Sequence, residues 1–79
     1  MIPVYAFVKG DTLGLVIYAD DSESVDSLAM KVQRAATTRV APSSRADVYL
    51  KGVRLDPTAA VSEQLGPLDR IDVVPVKEP

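Results

Sequence analysis

Residues 2 to 9 alternate as a strand does, with Ile2, Val4, Ala6 and Val8 on one side and Tyr5 and Phe7 on the other, yet both rows are apolar. Residues 13 to 19 repeat the pattern: Leu13, Leu15 and Ile17 share one side, Val16 and Tyr18 the opposite one. A hairpin with one solvated face alternates apolar with polar, whereas near-continuous apolar runs belong to sheets covered on both sides. The rest of the chain offers only one helix of useful length. One helix covers one face, so a companion polypeptide is the expected cover for the other.

Composition narrows the possibilities further. A chain of 79 residues is read as one domain, 1–79, and at this size it buries only about two thirds of the surface its unfolded form exposes. With 47% hydrophobic and 25% charged residues it has neither the composition of a disordered chain nor that of a membrane protein. No apolar run approaches the ~20 residues that span a bilayer, and Met1-Ile2-Pro3-Val4 lacks the basic region of a signal peptide. Cysteine is absent, so no disulfide framework supports a secreted fold this small. The expected location is cytoplasmic, with no membrane partner. The net charge is −2, and the 9 basic residues, among them Lys9, Lys31, Arg34, Arg39, Arg45 and Lys51, are scattered. Nucleic-acid binding needs a clustered basic face, so it is not expected.

Along the chain, Gly10-Asp11-Thr12 turns the first strand into the second. Asp20-Asp21-Ser22-Glu23-Ser24 closes the hairpin and opens a helix, with Ser22 or Ser24 as N-cap and acids placed where the helix dipole favours them. Over residues 25 to 38 the apolar positions Val25, Leu28, Ala29, Val32, Ala35 and Ala36 form one helical face. Pro42 disfavours helix before it, so the helix ends by about residue 40. Residues 47 to 50 read as a strand, Lys51-Gly52 as a turn into residues 53 to 55, and Val61 to Gly66 as a helical turn ended by glycine. The last strand is 70 to 76, where Pro75 lacks a ladder donor, so fraying or a bulge is expected there.

This order of elements is that of a β-grasp, an α+β ubiquitin-like fold in which a mixed sheet of about five strands wraps one helix. Parity assigns Val4, Ala6, Leu15, Ile17, Val48, Leu50, Ile71 and Val73 to the helix side. Tyr5, Phe7, Val16, Tyr18, Tyr49 and Val74 fall on the outer side, which collects every aromatic residue of the chain. A register slip would swap these faces.

No histidine and no cysteine are present, which removes the commonest general base, the thiolate nucleophile and the usual ligands of zinc, haem and iron–sulfur clusters. No catalytic, cofactor-binding or metal-binding residue is expected in this chain. Asp20, Asp21, Glu23 and Asp26 form the densest acidic cluster, but no glycine follows to make the sharp turn of a calcium loop, so a solvated helix start is expected. Lys9-Gly10-Asp11 and Lys51-Gly52 match no phosphate-binding glycine pattern and read as hairpin turns. A ubiquitin-like carrier needs a tail ending in two glycines, and Val76-Lys77-Glu78-Pro79 is not one. A non-catalytic binding module is the favoured class, with a free-standing carrier or modifier, or a secretion-system ubiquitin-like protein, as alternatives.

Several strings, in order and spacing, resemble the small gamma subunit (protein B) of bacterial toluene and alkene monooxygenase hydroxylases. They are Ile2-Pro3-Val4, Asp11-Thr12-Leu13, Ser24-Val25-Asp26 with Leu28-Ala29 and Lys31-Val32, Arg39-Val40-Ala41-Pro42, and Ile71-Asp72-Val73-Val74. The stretch between Val32 and Arg39 is about a residue shorter than the family pattern. The resemblance implies a ubiquitin-like subunit of a soluble assembly in which a large alpha subunit carries a diiron centre and pairs with a beta subunit. It also implies indirect partnership with an effector protein, a Rieske ferredoxin and a reductase, in a complex that hydroxylates aromatics or epoxidises alkenes such as isoprene. The expected docking surface combines Tyr5, Phe7, Val16 and Tyr18, which parity places on the outer face, with Arg39, Val40 and Pro42 after the helix, to which the resemblance implies a docking role.

Overall fold

The computed structural model describes residues 1–76; the tail residues weighed above, 77 to 79, lie outside the described residues. The chain forms β1 (Ile2–Val8), β2 (Gly14–Ala19), α1 (Val25–Ala35), β3 (Ala46–Leu50), β4 (Val53–Arg54), α2 (Val61–Gln64) and β5 (Arg70–Pro75). The five strands lie in the order β2-β1-β5-β3-β4, with β1 and β5 parallel and the other pairs antiparallel. This is the β-grasp expected from the element order.

Local chemistry accounts for the joints. Gly10 takes a φ of 96°, and the Asp11 N–H donates to the Val8 carbonyl at 2.9 Å, closing the first turn. Lys51 and Gly52 both have positive φ, 52° and 80°, as a two-residue turn between β3 and β4 requires. Ser24, not Ser22, caps α1: its hydroxyl accepts the Ser27 N–H at 3.1 Å.

The parity assignment holds. Val4, Ala6, Val48, Ile71 and Val73 are buried beneath Val25, Leu28, Ala29 and Val32 of α1, and Leu15, Ile17 and Leu50 sit partly buried at the rim of this core. Leu13 is the exception. It precedes β2 instead of belonging to it, and it is exposed.

The helical stripe needs one correction. Ala35 is exposed, and Gln33 is buried at 1% exposure. At about 100° per residue, positions 33 and 35 lie about 80° to either side of Val25, so both flank the stripe. The loop after the helix decides between them, because it folds over position 33. There the Gln33 amide donates to the Ser43 carbonyl at 3.1 Å and accepts the Ser43 N–H at 2.8 Å.

Two expectations about strand and helix ends are also corrected. Gly66 is not the left-handed end of α2: Leu65 caps it in an extended conformation, and the positive φ nearby belongs to Leu68 at 62°. Pro75 neither frays nor bulges the last strand. The carbonyls of Asp69 and Val73 bond across to β1 and to Lys9, so odd positions of β5 address that side, and Pro75 lies beyond the end of β1 where no donor is needed. Even positions address β3, where the Val76 N–H donates to the Arg45 carbonyl at 2.9 Å.

Candidate docking surface

The outer face of the sheet divides into two halves of different chemistry. On β1 and β2, Tyr5 stands directly across from Val16 and Pro3 from Tyr18. Tyr5, Val16 and Tyr18 are 44%, 51% and 58% exposed, a contiguous apolar patch on one edge of the sheet. On β5, β3 and β4 the same face carries ion pairs, Arg54 with Asp47 at 3.2 Å and Arg70 with Asp72 at 3.7 Å. Tyr49 and Val74 lie half-buried among them. Only the β1–β2 half therefore needs a cover, a smaller area than the sequence pattern suggested.

Phe7 faces outward as expected but is already occupied. Its ring lies over Gly14, where an added methyl would come within 2.7 Å of two ring carbons, and the Arg70 guanidinium stacks on it at 4.2 Å. The glycine leaves room for the ring, and the cation covers it. Phe7 is half-buried and serves the fold more than the exposed patch.

Arg39, Val40 and Pro42 lie elsewhere, where the exit of α1 meets the β1–β2 turn. Arg39 Nε donates to both Asp11 carboxylate oxygens, at 2.9 and 3.0 Å, tying that turn to the helix exit. Val40 is half-buried against the core, and exposed Pro42 lines a shallow groove with Ala41, Gly10, Val74 and Pro75. The seven expected docking residues thus fall on two surfaces. Leu68, exposed in the loop before β5, was not among them, because an isolated apolar loop residue carries no periodic signal; Leu13, also exposed, was not among them because alternation assigns it to the side of Leu15 and Ile17.

Three carboxyls are held below their ordinary pKa by hydrogen bonds and neighbouring charge. Burial would raise the Asp11 carboxyl, but hydrogen bonds from the Leu13 N–H and Arg39, with the charge of Arg39, outweigh it and hold the pKa below the usual 3.8. Glu23 departs from the solvated helix start expected of its cluster, since its side chain is largely covered. Burial would raise it too; contacts from Lys31 at 2.8 Å and from the Asp20 N–H at 2.6 Å lower it instead. Asp56 is lowered by the N–H and hydroxyl of Thr58. Among the described residues, no group of three or more acidic side chains is arranged to hold a metal ion, and no helix is long and apolar enough to cross a membrane.

No family model and no curated protein matches the chain. Solved structures do. The chain is similar to a chain of the toluene 4-monooxygenase HD complex with the inhibitor 4-bromobenzoate, at 29% identity and a TM-score of 0.85, over 95% of this chain and 98% of that one. The likeness falls on the family that the sequence strings resemble. It is also similar to a Caldiarchaeum subterraneum ubiquitin, at 15% identity and a TM-score of 0.76 over 98% of this chain and 95% of that one. The EccD5 ubiquitin-like domain from Mycobacterium xenopi gives 14% identity and a TM-score of 0.76 over 99% of this chain and 97% of that one. These two show the fold alone: it is ubiquitin-like. The hydroxylase likeness is consistent with a small subunit of such an enzyme.

Proposed function

We propose that this chain is the non-catalytic gamma subunit of a bacterial multicomponent diiron monooxygenase hydroxylase, cytoplasmic, docking on the large alpha subunit beside beta. The observation that carries this reading is the end-to-end likeness to a chain of the toluene 4-monooxygenase complex, at 29% identity and a TM-score of 0.85, against 14 to 23% identity and TM-scores of 0.70 to 0.76 for three other ubiquitin-like structures. The uncovered patch of Tyr5, Val16 and Tyr18 supports it, because a small domain gains stability by having such a surface covered. The diiron centre belongs to alpha in this reading, and effector, Rieske ferredoxin and reductase are partners of the whole assembly. Toluene fits the neighbour as substrate; an alkene such as isoprene is served equally by a subunit that contributes no pocket.

Co-expression with alpha and beta subunits followed by gel filtration tests the reading. Co-elution at fixed stoichiometry supports it, and elution of this chain always alone overturns it.

The second reading is a free-standing ubiquitin-like carrier or modifier, favoured by the likeness to an archaeal ubiquitin over nearly the whole chain. Mass spectrometry of cell extract decides it, since a C-terminal thiocarboxylate or an isopeptide adduct is its signature.

A further inference from the structure

β2 is an edge strand of the sheet, and the register shows which of its main-chain groups lack a sheet partner among the described residues. The Tyr5 N–H donates to the Asp69 carbonyl, and the Pro3 carbonyl accepts the Leu68 N–H, so odd positions of β1 address β5. Even positions address β2, where Val4 and Ala6 oppose Ile17 and Leu15. Gly14, Val16 and Tyr18 therefore turn their N–H and C=O groups away from the sheet. One of these is taken: the Tyr18 carbonyl accepts Lys31 Nζ at 3.0 Å, and Lys31 is itself held by Glu23. The others run along an edge with no charge and no proline between Thr12 and Ala19, although charges and prolines are the usual guards of such an edge.

The side chains of β2 are also incompletely covered on both faces. Leu15 and Ile17 are only partly buried on the helix side, and Val16 and Tyr18 are exposed on the outer side. A flat partner lying on the outer face would cover the second pair alone. A strand added along the edge covers both pairs and pairs the open main chain as well.

We infer that β2 is a strand-addition site for an extended apolar segment of a partner polypeptide, carrying a basic residue at the end that lies beside Asp20 and Asp21. This deepens the docking proposed above and rests on it. The charge preference follows from the end of β2, where Asp20, Asp21 and Glu23 outnumber Lys31 and the Met1 amino group. A second copy of the chain fits less well: two-fold antiparallel pairing centred on Val16 brings Asp21 to the β1–β2 turn of the other copy, where the Arg39 charge is already taken by Asp11.

Amide hydrogen exchange tests this on the assembly with alpha and beta subunits, compared with the free chain. Exchange at Gly14, Val16 and Tyr18 should slow by about tenfold or more in the assembly. Association without that protection overturns the strand addition and leaves the gamma-subunit reading standing; no association at all overturns both. Protection that develops in the chain alone as its concentration rises identifies a second copy as the occupant and overturns the inference. Chemical synthesis with the amide at Val16 replaced by an ester removes one outward N–H and keeps the side chain. Association should weaken about fivefold, as for one lost main-chain hydrogen bond, after correction for the small loss of folding stability from the weaker Leu15 ester carbonyl, which faces Ala6 and is read by the unfolding midpoint. Unchanged association would overturn the inference.

Discussion

Gln33 and Ser43 hold each other by two hydrogen bonds, the side-chain amide of one matching the main-chain N–H and C=O of the other. This clasp is how a loop of irregular backbone between α1 and β3 satisfies its polar groups next to the core. The Ser43 hydroxyl reaches the Val76 carbonyl at the end of β5, so three segments meet there.

Replacing Gln33 by alanine should therefore cost more than a typical surface change. It leaves the N–H and C=O of Ser43 without their partner in a covered place, a loss of about 2 kcal/mol. Urea denaturation should show a lower midpoint with an unchanged slope. A midpoint within error of the parent would mean that water replaces the amide without penalty.

Acid should destabilise the fold through Asp11 and Glu23. Both carboxyls are lowered in the folded chain from ordinary values of 3.8 and 4.5, so the unfolded chain binds more protons in that range. Their contribution is fully present above the unfolded values and is lost as pH falls through the folded ones. Thermal midpoints measured from pH 6 down to about pH 2 should drop steeply below pH 4 or so, and Asp11→Asn should flatten part of that drop. Equal slopes for parent and variant would remove Asp11 from the account.

The fold was legible because periodicity reports burial: Val4, Ala6, Val48, Ile71 and Val73 lie where alternation assigns them. Ala35 and Gln33 show the limit. Both lie at the margin of one helical stripe, and the loop that chooses between them is aperiodic. The docking surface was legible only in part for the same reason. Parity identifies an outward side chain such as Phe7, but not that Arg70 comes from the far end of the sequence to stack on it. Nor does sequence separate Arg39, engaged by Asp11, from exposed residues of its own loop.

Gly14→Ala should be destabilising out of proportion to its single methyl group. The new carbon meets the Phe7 ring at 2.7 Å, so the ring and the guanidinium above it must move, at about 1 to 3 kcal/mol. The double variant with Phe7→Ala should be markedly less destabilised than the sum of the two single changes, because the clash is gone. Additive losses in a denaturation cycle would place the cost in the glycine backbone instead.

Tyr18→Ala and Tyr5→Ala should separate assembly from folding. Both rings are largely outside the core, so each change should leave the unfolding midpoint within about 0.5 kcal/mol of the parent. If this face is covered by the hydroxylase, each truncation should weaken association by about 2 kcal/mol, roughly thirtyfold, as for an aromatic anchor in a desolvated contact. Lys51→Ala, in the exposed β3–β4 turn far across the sheet, should have little effect. Phe7→Ala should behave differently from both tyrosines, lowering the unfolding midpoint because its ring fills the space over Gly14. Titration calorimetry against the purified alpha–beta complex reads the first effect and denaturation the second. Tyrosine variants that bind as tightly as the parent would remove the outer face from the interface and shift attention to the groove around Val40 and Pro42.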